Sequence, residues 1–123
     1  MKANKETITA KNVVNQCIEA NFGTRAMNSS DIHKYAFDCN IQQIKRKEFE
    51  ILYYGLFFAD RIDIFRMYSY EIISCPGYSD FQHKGNEGEG QFHLNQASID
   101  YHMKNNHIKS LGYVELYNMF MST

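Results

Sequence analysis

The sequence predicts one small α/β domain over residues 1–123, in which a small central mixed sheet is flanked by helices. Two observations lead to this fold class. Apolar residues recur at helical spacing near both ends of the chain, and a nearly continuous apolar and aromatic run from Phe49 to Phe58 lies between them. An apolar fraction of 44% is enough for one hydrophobic core, and 123 residues leave little room for a second domain.

The elements of the first third follow from local signals. Thr9 is expected to cap a first helix, and Gly23 ends it in the position that glycine prefers after a helix. Residues 31–40 are interpreted as a strand. Residues 41–47 are then expected to form a short helix or helical turn.

The middle of the chain is interpreted as a hairpin at the centre of the sheet. The run from Phe49 to Phe58 is expected to be a strand buried on both faces, because both alternating sets of its side chains are apolar. A base-stacking surface is the alternative for its aromatic rings, and the length of the run favours the core. A turn at Ala59–Asp60 leads into a second strand over 61–67, and a long irregular loop follows over 75–90.

The last third is predicted to hold a short strand over 91–94 and two helices. Asn95 is expected to cap the first helix, which runs to about Asn105. The second helix spans 113–121 and has an apolar face.

Cysteine usage and the lack of a long apolar segment predict a cytoplasmic protein. The three cysteines are Cys17, Cys39 and Cys75, an odd number with no closely spaced pair, which is typical of reduced thiols. The polar amino terminus does not resemble a signal peptide, and no apolar stretch has the length of a membrane span.

The formal net charge of −1 argues against a strongly basic nucleic-acid binder, although the charges are unevenly distributed. Residues 1–66 carry ten Lys and Arg against eight Asp and Glu, whereas residues 67–123 carry three against six. Any surface that faces phosphate is therefore expected around Lys45–Lys47, Arg61 and Arg66. The alternative for the run Lys45–Lys47 is a solvated helix face, which is the commoner role of such a short run.

Three carboxylates are candidate metal ligands: Glu19, Asp31 and Asp38. Phosphodiester hydrolysis at neutral pH commonly uses Mg²⁺, which prefers carboxylate oxygens, and a nearby lysine can stabilise the charge on phosphorus. Lys34 and Lys45 are the candidates for that lysine. On spacing alone, the alternative of scattered surface acids is favoured.

Several segments resemble the PD-(D/E)XK restriction-endonuclease-like superfamily, and together they cover most of the chain. The resemblance lies in the runs Lys11–Gln16, Phe22–Arg25, Ser30–Ile32, Gln42–Glu50, Tyr53–Phe65, Gln82–Gly85 and Gly88–His93. It implies a restriction-endonuclease-like fold and a Mg²⁺-dependent DNA endonuclease of restriction or phage–host conflict. Asp31 and Asp38 would then be catalytic together with Lys34 or Lys45, and double-stranded DNA would be the substrate.

The sequence departs from the superfamily at one important position. The family motif ends in lysine two residues after an acid, whereas Asp38 is followed at that distance by Asn40. Either Lys34 or Lys45 replaces the missing lysine, or the protein is a catalytically inactive binding or inhibitor protein on the same scaffold, for example one encoded by a phage. Both alternatives stay open here.

The glycine-rich loop and the following strand supply a candidate partner-binding site, which could contact DNA or a protein. Its members are Gln82, His83, Gln91 and His93, whose side chains can donate and accept hydrogen bonds. The alternative is that His93 lies in a strand and has a structural role. A homodimer is expected, because cutting both strands of a duplex usually takes two active sites.

Overall fold

A computed structural model describes residues 9–12, 27–82 and 84–122. The strands are β1 (Asp38–Ile44), β2 (Ile51–Phe57), β3 (Arg61–Tyr68), β4 (Gly90–Asn95) and β5 (His107–Gly112); the α-helices are α1 (Ile99–Asn105) and α2 (Tyr113–Met121); and the 3₁₀ helices are Ser29–Asp31 and Ser69–Ser74. None of the helices in these ranges is long and apolar enough to span a membrane.

The strands form two antiparallel sheets. One contains β1 and β4, and the other has the order β2-β3-β5. The α/β class is confirmed, but the single mixed sheet that was expected is replaced by these two sheets. A parallel pair needs a crossover connection of a dozen or more residues, whereas a short turn such as the one between β2 and β3 joins antiparallel neighbours.

The expected strand over 31–40 was wrong in its first half. Asp31 ends the 3₁₀ helix Ser29–Asp31, and the strand begins only at Asp38. The backbone nitrogen and hydroxyl of Ser29 donate to the two carboxylate oxygens of Asp60 at 2.8 and 2.6 Å. These hydrogen bonds join residues 31 positions apart and anchor the segment to the β2–β3 connection, where it folds as a turn.

The expected helix over 41–47 was also wrong, because residues up to Ile44 belong to β1. The ladder with β4 is irregular between Ile41 and Ile44, and Gln43 has a φ of 57°. The backbone nitrogen of Gln43 donates to Oε1 of Gln82 at 2.8 Å. Pairing with β4 and this side-chain hydrogen bond therefore outweigh the local helical tendency.

The hairpin was predicted correctly, but burial of β2 on both faces was not. Tyr54, Leu56 and Phe58 are buried, whereas Tyr53 and Phe57 are exposed. This is the alternation of a strand with one covered side. Helix α2 was predicted with its observed bounds, whereas α1 begins at Ile99 and not directly after Asn95.

Strand β5 was not predicted. It pairs with the free edge of β3, and this pairing makes β3 the central strand of its sheet. Its sequence, His-Ile-Lys-Ser-Leu-Gly, has little of the apolar alternation that would indicate a strand.

The hydrophobic core lies between the two sheets and α1. Phe65 and Met67 of β3, Phe92 and Leu94 of β4, and Ile99 of α1 are almost completely buried. Aromatic rings make close contacts there, with the Tyr54 and Phe65 centroids 5.1 Å apart. The covered side of the three-stranded sheet therefore faces the β1–β4 pair, and its other side, here called the outer side, points away from this core.

Candidate functional site

Of the predicted catalytic residues, Asp31 and Lys34 lie together, whereas Asp38 and Lys45 pair with other residues. The Asp31 carboxylate lies 3.4 Å from Nζ of Lys34, and that of Asp38 lies 2.8 Å from Nδ1 of His93. Lys45 lies 4.0 Å from Glu48. Glu19 and the first predicted helix from residue 13 onward lie outside the described residues.

The described carboxylates do not by themselves form a magnesium site. No group of three His, Cys, Asp or Glu side chains within residues 9–12, 27–82 and 84–122 is arranged to hold a metal ion. The nearest side-chain partner of Asp38 is an imidazole, whereas Mg²⁺ prefers oxygen ligands.

The predicted partner-binding residues make hydrogen bonds within the protein. Gln82 accepts the backbone hydrogen bond of Gln43, and Oε1 of Gln91 accepts one from Nδ2 of Asn40 at 3.0 Å. His93 lies in β4 and pairs with Asp38. His83 lies outside the described residues. These contacts indicate that Gln82 stabilises the bulge of β1, while Gln91 and His93 join β1 to β4.

The run Lys45–Lys47 lines a cavity of about 440 Å³ together with the glycine-rich loop. The charges around this cavity balance, because Glu48, Asp80 and Glu87 also line it. Nε of Arg46 lies 2.9 Å from Asp80, and this guanidinium hydrogen bond keeps the pKa of the Asp80 carboxyl below its ordinary value. The cavity therefore has no excess positive charge with which to bind phosphate.

A cluster around the buried carboxylate of Asp63, on β3 and β5, has the composition of a Ser-His-Asp triad but not its geometry. Nε2 of His107 lies 3.0 Å from Oδ1 of Asp63 and 3.2 Å from Oγ of Ser110. The Ser110 hydroxyl donates to the same Asp63 oxygen. In a working triad the two imidazole nitrogens contact the acid and the serine separately. A single nitrogen that faces both cannot relay the proton, so we interpret the cluster as structural.

An aromatic surface is the outstanding feature of the outer side of the three-stranded sheet. Tyr53 and Phe57 lie on the same side of β2, with exposed fractions of 59% and 72%. Gly55 lies between them on that side and adds no side chain, so the two rings flank bare backbone.

Strand β3 extends this surface next to β2. Arg66 lies directly opposite Tyr53, and Tyr68 lies opposite Ile51. The Tyr68 ring stacks on Tyr70 with centroids 5.6 Å apart and an interplanar angle of 11°, and the Arg66 guanidinium lies 5.6 Å from the centroid of Tyr68. The residues Tyr53, Phe57, Arg66, Tyr68 and Tyr70 are called the aromatic face below.

Among the arginines that the structure describes, Arg66 differs from the other two in its ion pairs. Arg61 is held by the buried carboxylate of Asp63 at 3.2 Å, and Arg46 is held by Asp80. No ion pair of Arg66 is found within the described ranges of the chain. The other cation on this side of the sheet, Lys109, lies 3.6 Å from Glu115. The aromatic face thus carries one cation without a carboxylate partner.

The sequence contains a signal for the aromatic face that the interpretation of residues 49–58 as core did not use. Between Ile51 and Phe57, every second side chain belongs to one side of the sheet. Both sets are apolar or aromatic, so hydrophobicity alone does not distinguish the covered set from the exposed one. The hydroxyl of Tyr53 and the position of Arg66 in the partner strand were the available signals that this side of β2 is exposed.

No family model, no curated protein and no solved structure matches the chain. Its function has therefore to be inferred from the geometry of its own residues.

Proposed function

We propose that the protein is a non-catalytic binding protein whose aromatic face stacks against the unpaired bases of single-stranded nucleic acid. The observation that supports this proposal is the exposure of Tyr53 and Phe57 on one side of β2, next to the guanidinium of Arg66. Unpaired bases stack on exposed aromatic rings of a sheet, and each stacked base contributes about 1–3 kcal/mol. A duplex keeps its bases stacked on one another, so it would bind less tightly.

The charge of the protein indicates whether base stacking or phosphate contacts would supply most of the binding free energy. The net charge is −1, and Arg66 is the one cation of the aromatic face, with no carboxylate partner among the residues that the structure describes. The counterion-release contribution of a single phosphate contact is small. Stacking would therefore supply most of the binding free energy, and we expect dissociation constants in the micromolar range.

The test is a titration of a short labelled single-stranded oligonucleotide, as DNA and as RNA, followed by fluorescence anisotropy. Phe57→Ala is expected to weaken binding about tenfold, because the loss of one stacking contact costs on the order of 1–3 kcal/mol. Phe81→Ala is the matched control, since Phe81 is 76% exposed but lies on the loop after the second 3₁₀ helix and not on the sheet. Its affinity should equal that of the wild type.

Two outcomes would contradict the proposal. One is the absence of any anisotropy change at high micromolar protein. The other is equal affinity of Phe57→Ala and the wild type, which would place the binding site elsewhere.

A Mg²⁺-dependent endonuclease with a restriction-endonuclease-like fold is the second candidate. One observation favours it: the exposed carboxylate of Asp38 lies next to His93, and a carboxylate that orients an imidazole is a common arrangement in acid–base catalysis. Cleavage of supercoiled plasmid in Mg²⁺, abolished by EDTA and by Asp38→Asn, would support it. The matched control is Asp100→Asn, which removes the carboxylate of the exposed His33–Asp100 pair. Intact plasmid in the presence of Mg²⁺ or Mn²⁺ would exclude this candidate.

A further inference from the structure

Gly55 lies in the middle of β2, at a position where the fold does not require a glycine. Its φ lies outside the left-handed region, so other residues could adopt the same backbone conformation. A Cβ atom at this position would lie 3.5 Å from the backbone oxygen of Asp63 and 3.7 Å from the nearest side-chain atoms of Ile62 and Phe57. These are ordinary van der Waals distances, so a side chain would fit here against the described part of the chain.

A glycine in the middle of a strand makes that strand less stable. It loses more backbone entropy on folding than any other residue, and it has no side chain to pack. Where neither the backbone conformation nor a close neighbour requires it, a strand glycine marks a place where another molecule can approach the backbone closely. We expect this approach from the outer side of the sheet, because Tyr53 and Phe57 share that side with Gly55 and are exposed.

The spacing of the two rings indicates what would lie above Gly55. Tyr53 and Phe57 are four residues apart, which corresponds to about 13 Å along a strand. Bases that stack directly on one another are about 3.4 Å apart, so two bases held by these rings cannot be stacking neighbours. A nucleotide that connects them would lie over Gly55. Arg66, directly opposite Tyr53, supplies a positive charge for a phosphate at one end of this row.

We propose that Gly55 is the floor of a subsite for the middle one of three nucleotides, whose base lies flat on the backbone of β2 while the outer two bases stack on Tyr53 and Phe57. This inference rests on the proposed function of the aromatic face, and it adds the residue that sets how many nucleotides the face holds. A side chain at Gly55 would occupy the space of the middle base, although it would strengthen the strand.

Gly55→Val tests the proposal because binding and stability should change in opposite directions. The melting temperature should rise by about 2–4 °C, since valine favours a strand more than glycine does. The affinity for a labelled single-stranded thymidine trinucleotide, measured by fluorescence anisotropy, should fall about tenfold. Gly112→Val is the matched control, because Gly112 lies in β5 and no described atom lies within 4 Å of a Cβ there. Its affinity should equal that of the wild type.

The length of the oligonucleotide provides a second measurement on the wild type. A trinucleotide should bind about tenfold more tightly than a dinucleotide, because only the longer ligand reaches both rings. Equal affinities for the two lengths would overturn the proposal. If Gly55→Val does not fold, as judged by circular dichroism, Gly55→Ala replaces it, with an expected loss of affinity of about threefold.

Failure of this inference differs from failure of the proposed function. If Phe57→Ala weakens binding but the substitution at Gly55 does not, the aromatic face binds single strands and the subsite over Gly55 is disproved. A lower melting temperature of Gly55→Val with unchanged affinity would show that the glycine has a structural role only. If the wild type binds no single strand of any length, both proposals are wrong.

Discussion

At the scale of single residues, the buried imidazole of His102 is expected to contribute to the dependence of stability on pH. Nδ1 of His102 lies 2.7 Å from the hydroxyl of Tyr54, and Nε2 lies 3.7 Å from Sγ of Cys75. Burial lowers the pKa of His102 from 6.5 to about 4 and raises that of the Cys75 thiol to about 12. Between pH 6.5 and 4, the unfolded chain therefore binds a proton that the folded protein does not. We expect the free energy of unfolding to fall as the pH falls through this window, by on the order of 3 kcal/mol from this group.

Urea denaturation at several pH values measures this dependence. His102→Asn should be less stable than the wild type near neutral pH, but its stability should change less between pH 6.5 and 4. His33→Ala, which removes an exposed imidazole, is the control and should keep the pH dependence of the wild type. If the free energies of unfolding of His102→Asn and the wild type changed equally with pH, His102 would not contribute to the pH dependence.

At the scale of elements, the buried carboxylate of Asp63 joins β3 to β5. It accepts hydrogen bonds from Arg61 on β3 and from Ser110 on β5, and it contacts His107 at the start of β5. Asp63→Ala would leave Arg61 and His107 without their acceptor, and breaking a buried ionic cluster typically costs about 3–5 kcal/mol. Because Arg61 is partly exposed, we expect the lower end of this range in the free energy of unfolding. The control Asp100→Asn, at an exposed position, should change it by less than about 0.5 kcal/mol.

At the scale of the whole molecule, the small net charge predicts how the proposed nucleic-acid binding would respond to salt. With one phosphate contact through Arg66, the logarithm of the binding constant should fall with a slope of about −0.7 against the logarithm of salt concentration. A fourfold increase in salt would then weaken binding about threefold. Arg66→Gln should reduce the slope to nearly zero, while Lys109→Gln should leave it unchanged, because Lys109 is paired with Glu115. Anisotropy titrations at several salt concentrations measure both slopes, and a steep slope in the wild type would indicate several phosphate contacts and a different surface.

The sequence by itself determined the elements whose signals are local. The nearly continuous apolar run over Phe49–Phe58 and the turn at Ala59–Asp60 predicted the hairpin, and helical spacing predicted α2 with its observed bounds. Both signals depend only on neighbouring residues in the chain, so they predict the same element whatever the tertiary structure around it. Of the candidate site, the sequence identified Arg66 only as one of several cations for a phosphate-facing surface, and it favoured the core over base stacking for the aromatic run.

Only the tertiary structure decided the remaining features. Residues 38–44 became a strand because β4 lies next to them, and β5 formed because β3 has a free edge, although neither segment has a strong strand pattern. Contacts with residues distant in the chain also decide which side of β2 is covered. Tyr53 and Tyr54 are the same residue type, yet one is exposed and the other is buried against Phe65, because the core packs on one side of the sheet. Burial depends on contacts between residues distant in the chain, and a local pattern of apolar side chains does not contain that information.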